Sequence, residues 1–111
     1  MKIAELARSI GAKVLNPQIC NGEVEHVYAG DRVSDLLDHA SGNALLVSNL
    51  TSEQLIRIAE LMDVPGICLV NGHQPGEADL KVMSEHGAAV LVSPVGLFET
   101  CGRVYLCLFE K

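Results

Sequence analysis

The chain has no tryptophan, and two tyrosines and two phenylalanines are its only large aromatic residues, 4% of 111 positions. A core built without large rings must be filled by Leu, Val, Ile and Ala. Positive charge is also scarce. Eight Lys and Arg face fourteen Asp and Glu, a formal net charge of −6 and a pI of about 5.0. With no basic cluster to neutralise phosphates, the charge balance argues against nucleic-acid binding, and no nucleic-acid partner is expected. No apolar run approaches the ~20 residues needed to cross a bilayer, and Met1-Lys2-Ile3 leads into Glu5 and Arg8 rather than a signal-type apolar stretch. The expectation is a soluble, cytoplasmic protein with no membrane contact. The four cysteines, Cys20, Cys68, Cys101 and Cys107, contain no CxxC pair, and no His lies at ligand spacing from them. Free thiols in a reducing compartment follow, and neither a metal nor a cofactor is expected.

What is present is a regular α/β pattern. Three short apolar runs, Ala44 to Ser48, Ile67 to Asn71 and Ala89 to Ser93, each end in a small polar residue, and those last residues are 23 and 22 positions apart. A five-residue strand, a loop and a helix of three turns consume about that length. Continuously apolar strands are what a parallel sheet covered on both faces requires. With 111 residues and 11.9 kDa, 49% hydrophobic and 20% charged, there is room for one domain and one core. The fold class is therefore α/β, a single three-layer domain spanning residues 1–111, with a mostly parallel central sheet built from βα units.

The remaining elements follow from spacing. Ile3, Leu6, Ala7 and Ile10 mark an amphipathic first helix that Gly11 stops. Lys13 to Leu15 and Glu23 to Tyr28 read as two strands exposed on one side, and hence as edge strands, either parallel or antiparallel to the rest. Asn16-Pro17 and Asn21-Gly22 mark turns. Asp31 is the expected cap of a second helix over Val33 to Ser41, with Val33, Leu36, Leu37 and Ala40 on its apolar face. Thr51 and Gln54 form a capping-box pattern that opens a helix with Leu55, Ile58, Ala59 and Met62 inward, ended by Val64-Pro65. A further helix over Glu77 to His86 would bury Ala78, Val82 and Met83 or Leu80, and Gly87 ends it. At the tail, Leu97, Cys101, Val104, Tyr105 and Leu108 fit one helical face, whereas Val104 to Phe109 also reads as a buried strand. Helix is favoured, with Gly102 as a point of interruption.

The segment Val27 to Ala40 with its Tyr28-Ala-Gly-Asp31 turn, then Gly42 to Ser48, then Val64 to Gly72, resembles in content and order the DRTGG domain family over nearly the whole chain. Where that family tends to carry Thr-Gly-Gly ahead of the Tyr-x-Gly-Asp turn, this chain has Glu25-His26-Val27. The resemblance implies a domain similar to the N-terminal domain of HPr kinase/phosphorylase, found alone or beside CBS domains, phosphotransacetylases and pyrophosphatases, and used for regulation or dimer formation. Kinase activity is not expected, because no GxxxxGK[ST] loop is present to hold nucleotide phosphates.

In a parallel sheet, ligands sit beyond the carboxyl ends of the strands. The residues expected there are Ser48, Asn49 and Thr51, then Asn71, Gly72 and His73, then Ser93, a set suited to hydrogen bonding a phosphate, a carboxylate or a nucleotide edge and equally suited to capping and turns. Gly30, Asp31 and Arg32 form a second candidate, in which Arg32 alternatively pairs with Asp35. His73 is the one candidate for acid-base work, without a partner legible in the sequence. His26, His39 and His86 read as surface positions.

Two functions are compatible with these residues. The first is a non-enzymatic regulatory or assembly module that forms a homodimer, since the consecutive Leu106, Cys107, Leu108 and Phe109 cannot all be buried by one helix of a small domain. The second is a sensor of a nucleotide or phosphorylated metabolite at the strand-end loops. A small hydrolase or transferase lacks an identifiable nucleophile and base.

Overall fold

A computed structural model describes residues 1–19, 21–39 and 42–109. Cys20, expected as a free thiol, and Ala40 and Ser41, expected to end the second helix, lie outside the described residues. The element order is α1 (Ile3–Ile10), β1 (Lys13–Val14), a 3-10 turn (Pro17–Ile19), β2 (His26–Ala29), α2 (Val33–His39), β3 (Ala44–Ser48), α3 (Ser52–Met62), β4 (Gly66–Leu69), α4 (Glu77–Glu85), β5 (Ala89–Val92) and α5 (Leu97–Phe109). The strands form one sheet in the order β1-β5-β4-β3-β2. β2 through β5 are mutually parallel, and β1 is antiparallel to β5, with Lys13 opposite Val92 and Val14 opposite Leu91.

Successive βα units step in one direction along the sheet, so a common hand of crossover places α2, α3 and α4 on one face. The strands supply alternate residues to the two faces. Leu46, Ile67, Leu69, Val90 and Val92 pack with Leu36, Leu55, Ile58 and Met83 of those helices. Leu45, Val47, Cys68, Ala89 and Leu91 pack with Ile3, Leu6 and Ile10 of α1 and Val104 of α5. Double coverage is why β3, β4 and β5 read as unbroken apolar runs: each of their residues is buried.

The helix ends follow local chemistry. Gly11 takes φ +74° after α1, and the Ala12 N–H reaches back to the Ala7 carbonyl at 2.9 Å. At α3 the Gln54 N–H donates to Thr51 Oγ1 and the Thr51 N–H to Gln54 Oε1, both at 3.3 Å, so the capping box is closed. Asp63 at φ 55° ends that helix ahead of Pro65. Gly66 is required by close approach: a Cβ there would lie 2.7 Å from the Ile3 side chain and 3.1 Å from the Ala89 carbonyl oxygen.

Several expectations are corrected. The Leu36 N–H bonds to the Arg32 carbonyl, which places Arg32 at the cap position of α2, and the Asp31 carboxylate makes no hydrogen bond among the described residues. Val33 is exposed and only Leu36 of α2 is fully buried, with Leu37 half-buried against the same core, because seven residues make fewer than two full turns of contact. In α4 Ala78 is exposed in the first turn, while Met83 is the buried anchor and Leu80 and Val82 pack half-buried beside it. The strand expected over Glu23 to Tyr28 begins at His26, with Glu23 in an isolated bridge to Lys2. β4 and β5 end two and one residues before Asn71 and Ser93, which belong to the loops. The tail is a helix through Gly102, and Tyr105, expected on its inner face, is exposed.

Candidate functional site

The carboxyl ends of β3, β4 and β5 open onto three connected loops. After β3, Ser48 Oγ accepts the Leu50 N–H at 3.0 Å and bends the chain toward the Thr51 cap of α3. After β4, Asn71 (φ 59°) and Gly72 (φ 67°) are successive left-handed residues. They are tied to the β5 loop: the Asn71 N–H donates to the Val95 carbonyl and the Gly72 N–H to the Ser93 carbonyl, both at 2.8 Å. Across the gap to the β3 loop, Asn71 Nδ2 donates to Asn49 Oδ1 at 3.4 Å.

These loops enclose a cleft of about 180 Å³ lined by Ser48, Asn49, Leu50, Leu69, Val70, Asn71 and His73. Leu69 and Val70 are buried, whereas Asn49, Asn71 and His73 are exposed. Four of the strand-end residues singled out from the sequence therefore meet, and the rest do not. Thr51 is engaged as a cap. Gly72 shapes its loop without lining the cleft. Ser93 is fully buried, and its hydroxyl lies 2.7 Å from Thr100 Oγ1, so its role is to hold the start of α5. Gly30, Asp31 and Arg32 lie after β2 outside the cleft. The Gly30 N–H bonds to the Val47 carbonyl, and Arg32 Nε sits 3.8 Å from Asp35 Oδ2 in an exposed pair, worth little in water. The sequence reading missed Leu50, Leu69 and Val70, whose apolar character signals only core.

No Lys or Arg lines this cleft. Beside it, Asp79 of α4 accepts the Ser52 hydroxyl proton at 2.8 Å, which sets a carboxylate against the first turn of α3. The electropositive end of α3 is thus already supplied with an anion from within the chain.

A second, more apolar groove of about 270 Å³ runs between the edge strand β2 and α5, lined by His26, Val27, Ala29, Cys101, Val104, Tyr105, Leu108 and Phe109. Around it α5 leaves large side chains in solvent. Phe98 is 93% exposed, Tyr105 60%, Leu106 57% and Phe109 65%. The Tyr105 and Phe109 rings contact each other with centroids 5.0 Å apart.

Chemistry of the reactive groups is muted. Burial pushes the Cys68 thiol up to about 12, with the neighbouring Cys101 adding to the rise and a backbone hydrogen bond from Ser93 opposing it. Burial raises Cys101 as well. A raised thiol holds little nucleophilic thiolate near neutral pH. Among the described residues no side chain hydrogen bonds to His73, and no group of His, Cys, Asp and Glu could hold a metal ion. His39 stacks on Tyr28 with centroids 3.9 Å apart, and His86 Nε2 lies 3.7 Å from Glu60 Oε2. No described helix is long and apolar enough to cross a membrane.

No family model and no curated protein matches this chain. Among solved structures it is similar to the regulatory region of a Clostridium perfringens pyrophosphatase, comprising CBS and DRTGG domains and complexed with its activator diadenosine tetraphosphate. The TM-score is 0.72 at 14% sequence identity, over 93% of this chain and 45% of that one. The chain thus spans less than half the length of that neighbour. At this identity the likeness is one of fold: a single α/β domain with a mostly parallel five-stranded sheet, DRTGG-like.

Proposed function

We propose that a DRTGG-like domain with this surface is a non-catalytic regulatory module that pairs with a second copy of itself through α5 and the neighbouring edge strand β2. The observation that carries the reading is the row of exposed apolar side chains on α5, Phe98, Tyr105, Leu106 and Phe109, beside an apolar groove. Contiguous patches of this kind mark association surfaces. A second copy suits it electrostatically as well. Glu99 and Arg103, charged groups on α5, pair with each other at 2.8 Å, so two such faces would meet without burying a lone charge. The non-catalytic part of the reading is supported by His73, which has no side-chain hydrogen-bond partner among the described residues, and by burial that favours the protonated thiols of Cys68 and Cys101. Free Cys68, Cys101 and Cys107 fit the reducing cytoplasm.

Light scattering coupled to size exclusion tests the reading. The protein is expected at twice its 11.9 kDa, and Tyr105→Lys with Phe109→Lys at the monomer mass with its circular dichroism spectrum retained, since both sites are exposed. A wild-type monomer at high concentration would sink it.

A second reading is a small-molecule sensor at the strand-end cleft. It is favoured by the convergence of Ser48, Asn49, Asn71 and His73 on one concavity and by the similarity to a regulatory region that is complexed with a nucleotide activator.

A further inference from the structure

Resting on the sensor reading of the strand-end cleft, we propose that the ligand is anchored between the ends of β3 and β4, where the Ser48 hydroxyl and the Val70 N–H both donate to an oxygen of a phosphate, carboxylate or carboxamide group.

The cleft opens because one seam of the sheet stops early. On the β4 to β5 side, hydrogen bonding runs on past the strands: the Ser93 N–H donates to the Leu69 carbonyl, and the Asn71 and Gly72 N–H groups to the Val95 and Ser93 carbonyls, all at 2.8 Å. On the β3 to β4 side the register ends with Ser48 opposite Leu69. The next rung of a parallel ladder would carry the Val70 N–H to the Ser48 carbonyl, and that bond is not made. Further out, Asn71 Nδ2 reaches Asn49 Oδ1 at 3.4 Å, too long to close the seam.

Val70 is left as a donor whose direction is fixed. In a planar trans peptide the carbonyl and the following N–H point opposite ways. The Leu69 carbonyl faces β5, where it accepts from Ser93, so the Val70 N–H faces β3 and the cleft that Val70 lines. No described residue accepts from it. Val70 is buried, and a buried backbone N–H without an acceptor is rare in folded proteins.

Ser48 supplies the second donor. Ser48 and Ser93 make the same local turn, each accepting the N–H two residues on, from Leu50 at 3.0 Å and from Val95 at 3.4 Å. They differ in where the hydroxyl proton goes. Thr100 Oγ1 donates to the Val95 carbonyl, so its 2.7 Å contact with Ser93 Oγ carries the Ser93 proton. No described residue accepts the Ser48 proton, although Ser48 is buried like Ser93 and lines the cleft. Two donors beside one open seam call for an acceptor. A single water takes up ~30 Å³, whereas the cleft measures about 180 Å³, so a small ligand group fits. Asn49, Asn71 and His73 stand exposed at its rim, where the rest of the ligand would emerge.

Proton–nitrogen NMR correlation spectra of the labelled protein test the anchor, with inorganic phosphate, acetate, acetamide and AMP as probes. An oxygen arriving at the seam deshields the Val70 amide proton. The expected result is a saturable downfield movement of Val70 with at least one probe, the responsive one naming the source of the oxygen, and an affinity about tenfold weaker in Ser48→Ala, the loss of one hydrogen bond. The Val70 resonance is read in the wild type, so the test stands whether or not that variant folds. Movement of the Asn49, Asn71 or His73 amides with Val70 unmoved by every probe would overturn the anchor and leave the sensor reading standing. Movement of Val70 at an affinity indifferent to Ser48→Ala would remove Ser48 and overturn the shared donation. No cleft resonance moved by any probe would overturn both the anchor and the sensor reading.

Discussion

Asn16 is 2% exposed, and both polar atoms of its side chain find their partners at long range. Its Nδ2 donates to Ser84 Oγ and the Ala88 carbonyl, both at 3.0 Å, and its Oδ1 accepts the Val90 N–H at 2.8 Å. One side chain thus sews the turn after β1 to the end of α4 and the start of β5. Asn16→Ala would leave a buried N–H and a buried carbonyl unpaired, at about 1–3 kcal/mol for such a group. Urea unfolding should show a lowered midpoint with an unchanged slope, and an unchanged midpoint would mean that water replaces the amide. From sequence this residue reads only as the first half of Asn16-Pro17, a turn. Its partners lie 68 to 74 positions away, beyond any local pattern.

Cys68 shows the reverse. An apolar strand residue in the sequence, it is a buried thiol whose titration carries a stability consequence. Unfolded, it ionises near its ordinary value of 9.0; folded, only at about 12. Between those values the unfolded chain holds fewer protons than the native one, so stability falls as pH rises. The contribution is complete below 9.0 and is lost through about 12, at no more than ~1.4 kcal/mol per pH unit. Melting temperature measured from pH 8 upward should decline more steeply in the wild type than in Cys68→Ala, and parallel curves would refute the assignment.

At the scale of elements, legibility follows helix length and contact. α1 and α3 touch the sheet through full stripes, Ile3, Leu6, Ala7 and Ile10 in one and Leu55, Ile58 and Ala59 in the other, and periodicity finds them. α2 and α4 each fully bury one residue, Leu36 and Met83, with Leu37, Leu80 and Val82 half-buried against the same core, so the expected stripes fail only at Val33 and Ala78 in their first turns. α5 is ambiguous in the sequence because nearly every residue from Val104 to Phe109 is apolar, a pattern shared by a buried strand and a helix with a solvent-facing apolar side. Gly102 lies in the interior of this helix, exposed, with nothing within 4 Å of an added Cβ. Gly102→Ala should stabilise the protein by roughly 0.5–1 kcal/mol and raise its melting temperature by a few degrees. A lower melting temperature would show that position 102 is covered in solution.

At the scale of the molecule, the sheet has two unlike edges. β1 contributes two residues antiparallel to β5, whereas β2 is a four-residue strand whose outer edge borders the α5 groove. The shorter edge offers little to a partner, and the longer one adjoins the exposed aromatic row, which is where the proposed pairing of copies belongs. If that pairing stabilises the fold, the melting temperature should rise with protein concentration, and it should stop doing so in the Tyr105→Lys, Phe109→Lys variant.

By itself the sequence determined the class of fold, the three parallel βα units, the capping of α1 and α3, and the strand-end loops as the place where polar groups gather. Each of these is written in windows of a few residues to a few tens, through side-chain period, cap and turn chemistry. Only the tertiary structure decided that β1 runs antiparallel at one edge, that Asn49 and Asn71 meet while Ser93 turns inward to Thr100, and that α5 leaves Phe98, Tyr105 and Phe109 in solvent. Those outcomes depend on which distant strand or helix becomes a neighbour, and the choice is made by the free energy of the whole packed sheet, not by any single segment.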